Sequence, residues 1–443
     1  MQKKYIGMNV LEAFYGRIKY IFEEFDNIFV SFSGGKDSGL LLNLLLDYRN
    51  KHYPSRVIGV FHQDFEAQYT VTTEYVERTF ERIKDQVEAY WVCLPMATRT
   101  AISSYQMYWY PWDDKHRDVW VREMPNYPYV INLENNPLTT YKYKMHQEDL
   151  ARQFGRWYRM RHGEGKTVCL LGMRTDESLL RYSGIVNKKY SYKGECWITR
   201  QFKDVWTASP LYDWKVSDVW HAYFHFGYDY NRLYDLFYMA GLSPDKMRVA
   251  SPFNDYAKDS LNLYRVIDPE MWTKLLGRVS GANFGAIYGR TKALGYRNLI
   301  PPPGHNWESY TKFLLGTLPP RVRNSYLKKF RTSIDFWHNV GGGLDNETVK
   351  ELIENGYNIK RNGVSNYTVM KNSRIVFVGK IPDDTDNVKS SKDIPSWKRM
   401  CYCILRNDHI CRFMGFGITR EQKKKIDELK KKYSKVGDES DDI

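Results

Sequence analysis

The sequence predicts an α/β protein: a mainly parallel sheet flanked by helices, then a largely helical extension and a small α+β C-terminal region. Three observations predict it. β-branched and aromatic runs of strand length alternate with helix-length amphipathic stretches up to about residue 220, the pattern of parallel strands joined by crossover helices. One of those runs, Ile28-Phe29-Val30-Ser31-Phe32, stops in a two-glycine turn that opens directly into the leucine-rich stretch Gly39-Leu40-Leu41-Leu42. Beyond residue 220 the strand rhythm gives way to helical spacing.

Size and charge bound the rest. At 443 residues the chain can bury a large core and form more than one domain. A formal net charge of +14 favours polyanionic partners, nucleic acid among them, through long-range attraction. No N-terminal stretch reads as a signal peptide and no apolar run reaches membrane-spanning length. The six cysteines are unevenly placed, unlike a secreted disulfide framework. The expectation is a cytoplasmic protein.

The elements follow in order. Leu11, Phe14, Ile18, Ile21, Phe22 and Phe25 fall at helical spacing behind Asn9, a capping residue, so 9–25 reads as a helix. The first strand, the glycine turn and a helix over 38–49 come next. Residues 56–61 form a second strand ending at Phe61. His62, Gln63, Asp64 and Glu66 lie just beyond it, where open α/β sheets bind ligands. A helix over 70–86 and a strand over 89–94 complete the regular part. Residues 95–142, with Tyr108-Trp109-Tyr110-Pro111-Trp112 and three prolines, read as an insertion with little regular structure. The helix over 143–162 carries Lys144, Arg152, Arg156, Arg159 and Arg161. They form either a solvated basic face or, with Phe154, Trp157 and Tyr158, a surface for nucleic acid or an extended nucleotide. Residues 167–172 give another central strand.

The turn Ser33-Gly34-Gly35-Lys36-Asp37-Ser38 is where chemistry concentrates. Glycines let backbone approach a ligand, and the free amides and positive end of a helix favour phosphate. Ser33 and Ser38 add hydroxyl donors and Lys36 a point charge. The first glycine of the G-x-x-x-x-G-K-[ST] phosphate loop is absent, which excludes that class.

This run resembles the pyrophosphate-binding PP-loop of the adenine nucleotide alpha-hydrolase superfamily, to which ATP pyrophosphatases and phosphoadenosine phosphosulfate reductases belong. Gly172-Met173-Arg174-Thr175-Asp176-Glu177-Ser178, with Arg181 after it, resembles the second block of the sulfonucleotide reductases, which follows the fourth strand. The resemblance implies that Gly172 permits close ligand approach and that Arg174 binds phosphate or stacks on a base. It also implies that Glu177 orients an arginine or approaches a ribose or metal. Ser209-Pro210-Leu211-Tyr212-Asp213-Trp214 through Trp220 resembles the third block, with Ser217 and Asp218 placed to satisfy the first amides of a helix. Trp214 and Trp220 read as packing residues. Between the two blocks, Tyr182, Lys188, Lys189, Tyr190, Tyr192, Lys193 and Trp197 read as a loop that could close over a nucleotide or contact its acceptor.

The second half reads as helices over 229–240 and 256–266, followed by a stretch punctuated by Gly277, Gly281, Gly285 and Gly289. There Arg278, Asn283 and Arg290 favour compact helix crossing over a membrane span. An aromatic-rich helix over 305–339, a hinge or linker at Gly341-Gly342-Gly343, a helix over 345–356 and strand over 366–379 follow. The tail reads as a lysine-rich helix over 420–437 with Ile426 and Leu429. The domains expected are a nucleotide-binding core over 1–240 with its insertion at 95–142, a helical extension over 241–340, and a C-terminal region over 341–443.

Cysteine usage separates this chain from the reductases it resembles. It lacks their Glu-Cys-Gly-Leu-His tail and the paired cysteines of an iron–sulfur site. Cys93 and Cys169 read as core residues. Cys401, Cys403, His409 and Cys411 offer three thiols and an imidazole, open to readings as a structural zinc site, a redox pair or buried thiols. Length, the three blocks and the long extension are similar to the immunoglobulin-binding regulator A family, also known by domain of unknown function 3440. That resemblance covers about 10–240 for the core and runs through about 420. It implies a ParB/sulfiredoxin-like protein partner.

The activity expected is cleavage of ATP between its α and β phosphates with adenylation of an acceptor. Ser33, Gly34, Gly35, Lys36, Asp37 and Ser38, with Phe61, Gly172, Arg174 and Arg181, would bind the nucleotide. The catalytic candidates are Lys36, Asp37, Asp64, Arg174 and Glu177, with magnesium held by Asp37 or Asp64 and Glu66 orienting. The competing expectations are sulfur transfer or reduction with phosphoadenosine phosphosulfate, and nucleotide-sensing regulation of nucleic acid.

Overall fold

The computed structural model describes residues 7–178, 181–182, 185, 191–244, 246–254, 261–283, 300–364, 373–388 and 394–416. Helix α1 (Val10–Glu24) begins where the spacing puts it. The Asn9 side chain accepts from the amides of Leu11 and Glu12, and Glu12 accepts from the Asn9 amide, closing a capping box. Strand and helix then alternate through β1 (Asn27–Ser31), α2 (Lys36–His52), β2 (Ile58–Gln63), α3 (Thr70–Ile83) and β3 (Glu88–Val92). The insertion holds a small antiparallel pair, β4 (Thr98–Arg99) and β5 (Tyr108–Trp109), and a short strand β6 (Val130–Ile131). After it come α4 (Gln147–Arg161), β7 (Thr167–Leu171), β8 (Ser191–Tyr192), β9 (Glu195–Phe202) and β10 (Val205–Ala208).

Eight strands form one sheet in the order β6-β3-β2-β1-β7-β10-β9-β8. Pairing is parallel from β6 through to β10, and antiparallel where β9 and β8 extend it. β1 sits near the middle and is covered on both faces. Ile28 and Val30 enter a core shared with α1, α2 and α3, while Phe29 enters a second core with Phe154 and Tyr158 of α4. Two-sided burial is why this strand reads as an unbroken apolar run.

Tertiary pairing changed several expected elements. The loop expected between the second and third blocks contains the ribbon β8–β9, so Tyr192 and Trp197 are strand residues packed in the core. Lys188, Lys189 and Tyr190 lie outside the described residues. The insertion contributes an edge strand, since β6 pairs with β3 through Val130 and Ile131. Helix α5 (Val216–Phe226) is capped by the Asp218 carboxylate, which accepts from the Lys215 amide at 2.7 Å, and Ser217 lies inside its first turn. Helices α6 (Leu233–Met239) and α7 (Pro269–Arg278) follow, with residues 261–267 forming short helical turns between them.

The chain divides into two compact units, one of Met1–Arg99 with Tyr108–Ala282 and one of Thr100–Met107 with Asn283–Ile443. In the second, the helix expected over 305–339 is two helices, α8 (Trp307–Thr317) and α9 (Pro320–Asn339). They break at Leu318-Pro319-Pro320, where proline removes the donors that would continue the first. The triple glycine is no linker: β11 (Gly342–Leu344) pairs antiparallel with β13 (Ser373–Phe377), which also pairs with β12 (Ile359–Val364). Helix α10 (Asn346–Glu354) lies between β11 and β12 in sequence, and α11 (Trp397–Leu405) follows the sheet. Gly285, Gly289, Arg290, part of the 366–379 strand and the 420–437 helix with Ile426 and Leu429 lie outside the described residues. Among the described residues no helix is long and apolar enough to cross a membrane.

Candidate functional site

The site is built at the carboxyl end of β1. The Phe32 amide donates to Phe61 O at 2.8 Å, tying the ends of β1 and β2 together. Gly34 then takes φ +75°, a left-handed conformation that disfavours side chains, and extended Gly35 caps α2. The serines lock this turn. Ser38 Oγ accepts from the Ser33 amide at 3.1 Å, lies 2.9 Å from Ser33 Oγ and donates to Gly35 O at 3.1 Å.

Three residues from the chain around α5 and α6 hold the loop from outside. Lys36 N donates to the Tyr234 hydroxyl at 3.0 Å, and the Tyr223 hydroxyl donates to Lys36 O at 2.6 Å. Asn231 Nδ2 donates to Gly34 O at 2.9 Å and to Thr72 Oγ1 at 3.0 Å. Sequence reading missed all three. A tyrosine on an apolar stripe beside Val219 and Ala222 has the signature of a packing residue, and nothing local marks its hydroxyl as aimed at a loop far back in the chain.

The charged groups gather on the first turn of α2. Asp37 accepts from Lys36 Nζ at 3.0 Å through Oδ2 and from Arg174 Nε at 2.6 Å through Oδ1. Arg174 also donates to Trp214 O at 3.3 Å, and its other nitrogen lies 3.8 Å from Glu177 Oε1. Glu177 pairs in turn with Arg181. Lys36, Asp37 and Arg174 are all buried. Burial pushes the Lys36 ammonium below its ordinary range, Asp37 draws it back up, and the charges of Arg174 and Arg248 add to the depression. The second block reaches the loop because Gly172 has no side chain: a Cβ there would stand 2.7 Å from the Asp37 carbonyl carbon and the Ser38 nitrogen.

The structure thus brings together Ser33, Gly34, Gly35, Lys36, Asp37, Ser38, Gly172, Arg174, Glu177 and Arg181. It gives the other candidates different work. The Phe61 side chain is core, stacked on Phe154 at a centroid distance of 4.2 Å, and only its backbone reaches the loop. Asp64 is fully buried and its oxygens are engaged by Arg122 at 2.5 and 2.6 Å, the indoles of Trp91 and Trp112, and the Glu66 amide. A carboxylate offers about four lone-pair sites, so five donor contacts leave none for magnesium. Glu66 is filled likewise by Arg278 and the amides of Trp112 and Val121, which makes it an anchor for the insertion. Asp37 faces two cations, a setting that does not suit a metal ion either.

The cysteine cluster is also corrected. Cys401 and Cys403 lie on helix α11, about 200° apart around its axis at 100° per residue. Burial pushes the Cys401 thiol up to about 12. Cys403 faces Asp408 at 3.8 Å and lies against Cys411, while His409 Nε2 is 2.9 Å from Ser103 O. Among the described residues no group of three or more His, Cys, Asp or Glu is arranged to hold a metal.

Residues 27–240 match the family described as the phosphoadenosine phosphosulfate reductase domain, and residues 241–425 match a domain of unknown function (DUF3440). Over 424 residues the chain is 31% identical to the uncharacterized protein YbdN of Escherichia coli (strain K12), spanning 94% of this chain and 93% of that one. Among solved structures, the phosphoadenylyl-sulfate reductase of Candida auris, a phosphate complex, aligns at 12% identity and a TM-score of 0.27 over 52% of this chain and 85% of that one. The FMN adenylyltransferase of Candida glabrata with FMN and the ATP analogue AMPCPP aligns at 14% identity and a TM-score of 0.31, over 53% and 64%.

Proposed function

The chain belongs to the phosphoadenosine phosphosulfate reductase-like proteins that continue into the DUF3440 domain, and from that premise we propose that it binds ATP by its phosphates at Ser33–Ser38 and adenylates an acceptor in the cytoplasm. The observation that supports this most is the buried Lys36–Asp37–Arg174 cluster on the first turn of α2. Asp37 holds two cations on the first turn of α2, at a helix N-terminus that favours negative charge. Phosphate oxygens would take up Lys36 and Arg174 from Asp37, and the loop amides would complete the cradle.

In the reaction an acceptor oxygen attacks the α phosphorus and forms a new P–O bond. The bond from the α phosphorus to the bridging oxygen breaks, and pyrophosphate leaves with that electron pair. The acceptor's proton passes to solvent. This chain's contribution is to position the nucleotide and to hold fixed cations around developing negative charge, with no protein nucleophile. Glu177 steadies Arg174 and Arg181 from behind.

The match over residues 27–240 favours a second reading, in which phosphoadenosine phosphosulfate is the substrate of sulfur transfer or reduction. Incubating the full-length protein with labelled ATP and, separately, with phosphoadenosine phosphosulfate separates the two. Pyrophosphate release supports adenylation, and sulfite or adenosine bisphosphate supports the sulfonucleotide route. Adding a ParB/sulfiredoxin-like protein or DNA tests whether the acceptor comes from a partner. Release of none of these products under any condition, with the nucleotide still bound, leaves nucleotide sensing as the function and refutes turnover.

A further inference from the structure

We infer that Arg248, which lies beyond the reductase-like domain in the segment of unknown function, is a further phosphate-binding residue of the Ser33–Ser38 site. The inference rests on the nucleotide-binding reading above. Family boundaries divide the chain at residues 240 and 241, yet the first compact unit continues to Ala282. The chain just past the boundary lies on the phosphate loop. Val249 Cβ is 3.9 Å from where a Cβ on Gly35 would stand, so residue 248 adjoins the residue that covers the loop's second glycine. Arg248 itself donates through Nη2 to Glu177 O at 2.7 Å, which fixes its guanidinium against the second nucleotide block. Residues 248 and 249 therefore bridge the two blocks that carry the site.

Arg248 acts on the buried Lys36 ammonium in the same sense as Arg174 does, and Arg174 touches the same carboxylate as Lys36. The bond to the Glu177 carbonyl orients the guanidinium. A planar guanidinium held in this way suits the paired oxygens of a phosphate group. The ligand class is a di- or triphosphate.

Calorimetric titration of the full-length protein with inorganic pyrophosphate and with ATP tests this. Arg248→Ala is expected to weaken both by on the order of tenfold, the loss of one charge-assisted phosphate contact. Arg248→Gln removes the charge but keeps a polar side chain, and is expected to bind as weakly as the alanine variant. Wild-type affinity in Arg248→Gln would show that the charge does not matter and would overturn the inference. Wild-type affinity in Arg248→Ala would overturn it too. If the unaltered protein binds neither ligand, the nucleotide reading fails first and this inference falls with it.

Discussion

Gly172→Ala is the sharpest test of how the Ser33–Ser38 and Gly172–Ser178 blocks meet. The added methyl would stand 2.7 Å from the Asp37 carbonyl carbon and from the Ser38 nitrogen, and 2.8 Å from the Asp37 oxygen. Carbon atoms rest about 3.5–4.0 Å apart, so roughly 1 Å of separation must be found. The obstructing atoms belong to the first turn of a helix and cannot rotate aside as a side chain would. Gly172 is not in the left-handed region, so the cost is one of contact alone. Overpacking of this kind costs about 1–3 kcal/mol, and backbone obstruction places this case toward the upper end. Taking about 3 kcal/mol and a urea m-value of about 3 kcal/mol/M, the midpoint falls by roughly 1 M. Relief requires the end of β7 to move off α2, which lengthens the 2.6 Å bond from Arg174 to Asp37, so pyrophosphate affinity should fall in step. Gly277→Ala in α7, with nothing within 4 Å of the new Cβ, is the control. It should stabilise by about 0.8–1 kcal/mol through helix propensity. A Gly172→Ala protein with the midpoint and affinity of the unaltered chain would refute the close approach.

Three further outcomes follow from the same contacts. Asp64→Asn strands Arg122 beside a neutral partner in the interior and should cost about 3–5 kcal/mol in denaturant unfolding. Burial pushes the Asp64 carboxyl up, but Arg122 and His62 outweigh it and hold the group below its ordinary range. The stability it adds is therefore complete above about pH 4 and lost as pH falls through its own lower value, an acid limb the variant should lack. Tyr234→Phe leaves the buried Lys36 amide without its acceptor and should cost about 1–3 kcal/mol, read from the same unfolding curves. Lys36 must be charged to meet phosphate, and its depressed proton affinity means that charge is lost as pH rises, below the ordinary lysine value of about 10.4. Pyrophosphate binding should weaken on that alkaline side, and Lys36→Arg should flatten the profile, since guanidinium stays protonated.

Legibility in the sequence followed how local each signal was. The cap at Asn9, the buried run of β1 and the glycine turn were legible because period, capping and backbone freedom are properties of adjacent residues. The strand at Gly342–Leu344 was not, since glycine has no strand propensity and the pairing partner Ser373–Phe377 lies some thirty residues on. Asp64 was misread for a related reason. A carboxylate at the end of a strand looks the same in sequence whether it faces a ligand or Arg122, which is supplied from the insertion.

The Ser33–Ser38 turn, the α/β core around it and the second block that faces it were all legible, because each is written in contiguous residues. Which groups share that turn was settled by packing between distant segments. Burial brought Asp37 against Arg174, and the chain after α5 brought Tyr223, Asn231 and Tyr234 onto the loop, across some two hundred residues of sequence. Buried polar atoms must find partners wherever the fold offers them, and no local pattern announces where that will be.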